Sequence, residues 1–125
     1  MKRVLVIEDD RFNRLLYRDL LEGQGWSVAI AADGARGLAE ARRETPDVIL
    51  VDVQLPDMSG LDVIRTLKSE SDLADVPTLV VSAHALEKHR KAAAAAGADA
   101  FVQKPFEFAD LVSTIRTYLG EEAAS

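Results

Sequence analysis

The sequence predicts an α/β protein with a doubly wound, five-stranded parallel sheet flanked by five helices. Short runs rich in Val, Ile and Leu alternate along the 125 residues with longer segments whose apolar side chains have helical spacing. Each short run is continuously apolar, which is typical of parallel strands buried on both faces. Strands that alternate with helices indicate βαβ units, and a chain of this length favours one domain.

The strands are predicted at residues 4–7, 28–30, 48–51, 78–81 and 100–102. The first helix follows the first strand; Asp10 can cap its beginning, and a Gly23-Gln24-Gly25 segment ends it. The spacing of its apolar residues predicts that these side chains face the core: Phe12, Leu15, Leu16 and Leu20.

The other helices also have start and stop signals. Asp33 can cap the second helix and Ser59 the third, while Gly97 stops a fourth helix built around residues 92–96. The last helix is predicted over residues 107–119. Inward-facing positions are predicted on the second helix (Leu38, Ala41), the third (Leu61, Ile64, Leu67) and the last (Leu111, Ile115, Leu119).

Length, charge and cysteine content exclude several classes of function. The domain is predicted to span residues 1–120, with a disordered tail at 121–125. The absence of Cys rules out a thiolate nucleophile and a Cys-based zinc site, and it fits a cytoplasmic location. A net charge of −6 disfavours nucleic acid as a partner, and no apolar run approaches the roughly 20 residues of a membrane span.

Charged and hydroxyl side chains follow four of the predicted strands. Glu8-Asp9-Asp10 follows the first strand, Asp52 the third, Ser82 the fourth and Lys104 the fifth. In an open α/β sheet the ligand site lies beyond the carboxyl ends of the strands, so we expect these groups to converge. Any one of them alone is more often a turn or cap residue; the conjunction of all four predicts a site.

Such a cluster suits phosphoryl transfer assisted by a metal ion. Carboxylates a few ångströms apart repel each other and favour a bound cation, and Mg²⁺ prefers oxygen ligands with open positions. Glu8 and Asp9 are predicted to bind Mg²⁺, while Asp52 is the predicted nucleophile that becomes an aspartyl phosphate. Lys104 would neutralise phosphoryl oxygens, and Ser82 would donate a hydrogen bond to them.

These residues resemble those of response-regulator receiver domains of bacterial two-component signalling. The resemblance extends over essentially the whole chain and rests on four motifs: Glu8-Asp9, the segment from Asp52 to Gly60 (DVQLPDMSG), Ser82-Ala83, and Lys104-Pro105-Phe106. It implies a flavodoxin-like sheet with the strand order 2-1-3-4-5.

The resemblance also implies roles for individual residues. Asp52 would be the phosphoacceptor and also a ligand of Mg²⁺, and Gln54 would bind the metal through its backbone carbonyl. Lys104 would bind phosphate, and the peptide bond between Lys104 and Pro105 would be cis. Ser82 and Phe101 would form a switch pair, in which Ser82 follows the phosphoryl group and the aromatic ring turns inward.

The first helix narrows the resemblance to receivers of phosphorelays and to single-domain regulators of the DivK type. The hexapeptide from Glu8 to Asn13 (EDDRFN) and the leucine-rich helix after it are similar to those proteins, in which helix one helps to dock a helical bundle. The expected partners are a histidine kinase or histidine phosphotransferase and a downstream protein target, and a weak homodimer is left open. Leu16 and its neighbours form either this docking surface or part of the core.

Three classes of function are compared with the predicted fold and site. The first is a stand-alone signalling receiver that signals by protein binding or phosphorelay and catalyses only its own phosphorylation and dephosphorylation. The second is a Mg²⁺-dependent phosphatase with an aspartate nucleophile, which would need a second Asp where Gln54 stands. The third, a flavin carrier, would need a phosphate-binding loop where Glu8-Asp9 would repel the flavin phosphate.

Overall fold

The computed structural model describes residues 1–121, and it confirms the predicted fold class. Within these residues the elements follow one another as β1 (Arg3–Ile7), α1 (Arg11–Glu22), β2 (Ser27–Ala31), α2 (Gly34–Arg43), β3 (Val48–Asp52), α3 (Gly60–Ser69), β4 (Thr78–Ser82), α4 (Glu87–Ala96), β5 (Ala100–Gln103) and α5 (Phe108–Leu119). The strands form one parallel sheet in the order β2-β1-β3-β4-β5, as the resemblance implied.

The predicted disordered tail falls almost entirely outside this description. Residues 122–125 lie outside the described part of the chain. Glu121 lies within it, and its carboxylate accepts a hydrogen bond of 2.8 Å from the indole of Trp26.

The sheet has a core on each face, which explains why its strands are continuously apolar. Successive residues of β1 point to opposite faces, so that Leu5 joins one buried cluster and Val4 the other. Helices α2, α3 and α4 contribute Leu38, Ile64 and Ala93 to the first cluster. Helices α1 and α5 cover the other face and contribute these buried side chains to the second cluster: Tyr17, Leu21, Leu111, Val112, Ile115 and Leu119.

The cap residues predicted from the sequence take up the expected contacts. Asp10 accepts a hydrogen bond from the Asn13 amide, and Asp33 accepts one from the Arg36 amide, each at 2.8 Å. The hydroxyl of Ser59 accepts a hydrogen bond of 3.2 Å from the Leu61 backbone amide in α3. Gly97 ends α4 with a positive φ of 110°, a conformation that residues with a side chain rarely adopt. The caps of Asp10, Asp33 and Ser59 fix where α1, α2 and α3 begin, and Gly97 fixes where α4 ends.

The prediction that four apolar residues of α1 face the core is wrong for all four: Phe12, Leu15, Leu16 and Leu20. Phe12 is 73% exposed and Leu16 45%, and Leu15 and Leu20 are each 37% exposed. The helix rests on the sheet through Tyr17 and Leu21, and Leu16 lies about 100° around the helix axis from Tyr17. The sequence therefore carries two apolar stripes on α1, of which one is buried and one faces outward.

No helix among residues 1–121 has the length and apolarity needed to cross a bilayer.

Candidate functional site

The carboxyl edge of the sheet brings the predicted polar residues together in one cavity. The ends of β1, β3 and β4 and the residue after β5 line a cleft of about 210 Å³. Its lining residues are Glu8, Asp9, Asp10, Asn13, Asp52, Gln54, Ser82, Ala83 and Lys104. Every residue that was predicted to act on a metal or phosphoryl group therefore lies in this cleft.

Three carboxylates and one ammonium group form the centre of the cleft. One oxygen each from Glu8, Asp9 and Asp52 lies within 4.8 Å of the others. The Nζ of Lys104 is 2.9 Å from Asp52 Oδ2 and 3.7 Å from Glu8 Oε1. A single lysine thus balances part of the negative charge that the fold concentrates here.

Burial and neighbouring charges shift the protonation of these groups. Burial raises the pKa of Glu8 above its usual range, and the nearby Asp9 and Asp52 add to this, although the amide of Asp10 and the charge of Lys104 oppose it. Burial opposes the charge on Lys104, but its hydrogen bond to Asp52 and the charges of Asp52 and Glu8 outweigh this and raise the pKa of Lys104. The cleft therefore favours cations, which lower the repulsion among its acids.

The loop between β1 and α1 is held by two side chains that sequence reasoning did not single out. The guanidinium of Arg14 donates hydrogen bonds to the backbone carbonyls of Glu8 (3.0 Å) and Asp9 (2.7 Å). The side-chain amide of Asn13 donates a hydrogen bond to Glu8 Oε1 at 3.3 Å. Arg14 carried no signal in the sequence, because its role depends on how the loop folds back toward α1.

Gln54 and Ser82 line two sides of the cleft. The backbone N–H of Gln54 donates to Asp52 Oδ1 at 2.8 Å, and its side-chain nitrogen lies 2.9 Å from Nε2 of His84. Ser82 is buried, and its hydroxyl oxygen accepts a hydrogen bond of 3.0 Å from the His84 amide. The hydroxyl proton of Ser82 is not used in that bond.

Phe101, the second member of the predicted switch pair, lies on β5 and does not line the cleft. Its ring is partly buried against the core cluster between the sheet and α2, α3 and α4. The guanidinium carbon of Arg90 lies 4.6 Å from the ring centroid, and Arg90 also donates to Gln103 at 3.2 Å. Arg90 thus covers the ring from the side of α4.

The donor set of the cleft fits a magnesium ion. Glu8, Asp9 and Asp52 supply hard oxygen ligands within reach of one another, and the cleft is open enough to leave positions for water and a phosphoryl oxygen. The described residues offer no Cys here, and the carboxylate chemistry disfavours a thiophilic metal.

The parallel sheet of this order and the acidic cleft at its carboxyl edge belong to an α/β protein whose sequence matches one known family. The family model described as the response regulator receiver domain matches residues 4–116. The chain therefore belongs to the receiver domains of two-component signalling, as the resemblance indicated.

Relatives and solved structures agree with this assignment. The chain is 36% identical to the polar-differentiation response regulator DivK of Brucella anthropi over 120 residues, which cover 96% of this chain and 98% of that protein. The chemotaxis protein CheY4 of Vibrio cholerae superimposes with a TM-score of 0.90 at 29% identity, covering 94% of this chain and 98% of that one.

A further solved structure bears on the acidic cleft. The receiver domain of the sensor histidine kinase PA1611 from Pseudomonas aeruginosa PAO1 has a TM-score of 0.88 and 28% identity, covering 96% of this chain and 98% of that one. That structure contains a magnesium ion coordinated in its active site cleft.

Proposed function

We propose that this protein is a stand-alone response regulator that accepts a phosphoryl group on Asp52 and passes the signal on by phosphorylation-dependent protein binding or by phosphorelay. The observation that carries the proposal is the arrangement around Asp52. Its Oδ2 lies 2.9 Å from Lys104 Nζ, and its carboxylate shares a cluster with Glu8 and Asp9. Membership of the receiver family supports the same function.

The transfer reaction follows from these groups. An oxygen of Asp52 forms a bond to phosphorus while the bond from phosphorus to the donor histidine nitrogen breaks, and that electron pair stays on the imidazole. Lys104 offsets charge on the phosphoryl oxygens, and the hydroxyl of Ser82 donates a hydrogen bond to one of them. A water that attacks the phosphorus of the acyl phosphate releases inorganic phosphate and restores Asp52.

Glu8, Asp9, Asp52 and the backbone carbonyl of Gln54 would hold Mg²⁺ in this cleft. When bound, the ion supplies positive charge for the equatorial phosphoryl oxygens. The alternative, a phosphatase with an aspartate nucleophile, lacks support, since its second acid would stand at position 54. The side chain there is the amide of Gln54, which contacts His84 and has no carboxylic proton to give a leaving group.

The outward-facing stripe of α1 supports a histidine kinase or histidine phosphotransferase as the phosphodonor. Beside the cleft runs an apolar groove of about 570 Å³. Its lining residues are Asn13, Leu16, Tyr17, Leu20, Ala83, Lys104, Pro105, Phe106 and Phe108. Asn13, Ala83 and Lys104 belong to both the groove and the cleft. An apolar helix seated in the groove would therefore bring a histidine next to Asp52.

Ser82 and Phe101 would report the phosphorylation state to a downstream protein. Ser82 ends β4, and Phe101 lies on the neighbouring β5 opposite Val80. We propose that a shift of Ser82 toward a phosphoryl group is coupled to an inward turn of the Phe101 ring. Arg90 restrains the ring in the unphosphorylated chain through its contact at 4.6 Å. We infer that phosphorylation shifts a pre-existing equilibrium of this surface. The cytoplasmic location and the weak homodimer stay predictions.

The proposal is tested by labelling with a small phosphodonor. Wild-type protein in acetyl phosphate and Mg²⁺ should gain the mass of one phosphoryl group and lose it on standing, whereas Asp52→Asn should gain none. Asp62→Asn is the matched control, because Asp62 is an exposed carboxylate on α3 that pairs with Arg65. Stoichiometric labelling of Asp52→Asn would refute the assignment.

A further inference from the structure

The segment between β3 and α3, residues 53–59, determines how the Asp52 carboxylate is presented. We call it the acceptor loop. Its second residue, Gln54, donates a backbone hydrogen bond to Asp52 Oδ1 at 2.8 Å, so a movement of the loop is also a movement of that carboxylate. The position of the loop therefore bears on every step assigned to Asp52.

The base of the acceptor loop is closed by backbone contacts. The amide of Gly60 donates to the Val53 carbonyl at 2.8 Å, and Gln54 forms an isolated antiparallel bridge with Ser59. A side chain at Gly60 would collide with the carbonyl oxygen of Asp52, so the chain passes very close to the end of β3. These contacts fix both ends of the loop and leave its tip to be held by something else.

The tip is held by Asp57, which reaches across to the beginning of α2. Its Oδ1 accepts a hydrogen bond of 2.8 Å from the Gly34 amide, and its Oδ2 accepts one of 2.9 Å from the Ala35 amide. The adjacent Met58 packs on Gly34, where a Cβ atom would stand 2.6 Å from the Met58 sulfur. The loop tip and the helix are thus in direct contact through both polar and apolar groups.

Helix α2 has its own N-terminal cap, so Asp57 is a second acid at the same helix end. Asp33 caps α2 by accepting from the Arg36 amide, and its carbonyl accepts from the Gly37 amide. The helix in turn is anchored in the core by Leu38 and Ala41. Asp57 therefore ties the acceptor loop to a fixed element of the fold in addition to stabilising a helix terminus.

We propose that Asp57 is a positioning residue of the phosphoacceptor site. By binding the N-terminus of α2 it holds the acceptor loop, and through Gln54 it keeps the Asp52 carboxylate and the metal-binding carbonyl in place. This inference rests on the proposed function. Groups that orient the residues around a metal commonly change its affinity by about tenfold or more when they are removed.

The chain offers a matched pair of variants to test this. Asp57→Ala and Asp33→Ala each remove one carboxylate from the N-terminus of α2, so they change the net charge and the helix terminus in the same way. Only the first releases the acceptor loop. Asp57→Asn, which keeps one acceptor oxygen, provides a milder version in case the alanine variant folds poorly.

We expect Asp57→Ala to bind Mg²⁺ about tenfold more weakly, measured by titration of amide signals. The Gln54 amide should exchange its hydrogen faster in the metal-free protein. Labelling by acetyl phosphate should slow at low Mg²⁺ and recover at saturating Mg²⁺. Asp57→Asn should lie between wild type and Asp57→Ala, and Asp33→Ala should lower the melting temperature but leave Mg²⁺ affinity and Gln54 exchange unchanged.

Two results would overturn the inference. If Asp57→Ala matches wild type in Mg²⁺ affinity and Gln54 exchange, or if Asp33→Ala weakens Mg²⁺ binding equally, then Asp57 only caps a helix. Wild-type protein that neither binds Mg²⁺ nor accepts a phosphoryl group would instead overturn the proposed function, and this inference with it.

Discussion

The acidic cleft and the apolar groove lie side by side at the carboxyl edge of the sheet, yet they are built in opposite ways. The cleft takes its polar groups mainly from strand ends, with Asp52 and Lys104 paired at 2.9 Å. The groove is lined mostly by apolar side chains of α1 and of the segment from Pro105 to Phe108. We propose that the first region carries the chemistry and that the second selects the partner.

The difference between the two regions shows what a local sequence pattern can encode. A charged residue directly after a buried strand has its position fixed by the sheet, so its type and place in the chain indicate the site. An apolar residue on a helix can be buried against the sheet or exposed at the surface, and the packing of the whole helix decides which. Predictions that separate the cleft from the groove therefore test this account.

The largest effect should come from the cleft. Lys104→Ala removes the ammonium group that contacts Asp52 and Glu8, and a charge-assisted hydrogen bond of this kind contributes roughly 1.5–3 kcal/mol. We expect the rate of labelling by acetyl phosphate at saturating Mg²⁺ to fall by about 10- to 100-fold.

The control for this prediction is Lys91→Ala, since Lys91 is an exposed lysine on α4 that pairs with Glu87. It should label at the wild-type rate. Labelling of Lys104→Ala at that same rate would show that the lysine has no part in the reaction.

An intermediate effect should come from the groove and should spare the chemistry. Leu16→Asp or Leu20→Asp places a charge in the apolar groove, and loss of a central apolar contact commonly weakens an interface by about 2 kcal/mol or more. We expect transfer from a phosphorylated histidine phosphotransferase to slow by about 30-fold or more, with labelling by acetyl phosphate unchanged.

Leu86→Asp is the matched control, because Leu86 is 63% exposed and does not line the groove. Equal transfer rates for the variants at positions 16, 20 and 86 would contradict the assignment of the groove as the docking surface.

The smallest effect should appear as a gain in stability. Burial raises the pKa of Glu8, so the folded chain holds that proton more tightly than the unfolded chain does. The metal-free protein should therefore lose stability as pH rises through the titration of Glu8. Glu8→Gln removes the charge, and we expect its metal-free melting temperature at pH 7 to rise by roughly 3 °C while Mg²⁺ binding weakens.

The matched control is Asp19→Asn, which removes an exposed carboxylate of α1 outside the cleft and should leave the melting temperature unchanged. A lower melting temperature for Glu8→Gln than for wild type would mean that the buried charge is not a cost to the fold.

The sequence was sufficient for the fold and for the chemical groups of the cleft. The strand positions and the convergence of Glu8, Asp52 and Lys104 agree with the structure, because they depend on local apolar runs and on the polar residues at their carboxyl ends. The strand order also agrees, but it was implied by the resemblance to receiver domains and not by these local patterns. The burial of α1 could not be predicted in this way. Tyr17 and Leu21 face the sheet, whereas Leu15, Leu16 and Leu20 are exposed, and this difference depends on how the helix packs.

The supporting contacts of the cleft were also beyond the sequence. Arg14 reaches the carbonyls of Glu8 and Asp9, and Asp57 reaches amides more than twenty positions earlier in the chain. Neither contact has a characteristic spacing, because each joins a side chain to backbone groups whose direction is set only after the loops fold. Such contacts are visible in coordinates alone.

Locating the phosphoryl group on the wild-type chain tests directly whether Asp52 is the phosphoacceptor. Protein labelled by acetyl phosphate in Mg²⁺ can be reduced with borohydride, which converts an acyl phosphate to a stable alcohol, and then sequenced by mass spectrometry. We expect modification at Asp52 alone, and none when Mg²⁺ is removed by a chelator. Modification at any other carboxylate, or equal modification without Mg²⁺, would contradict this expectation.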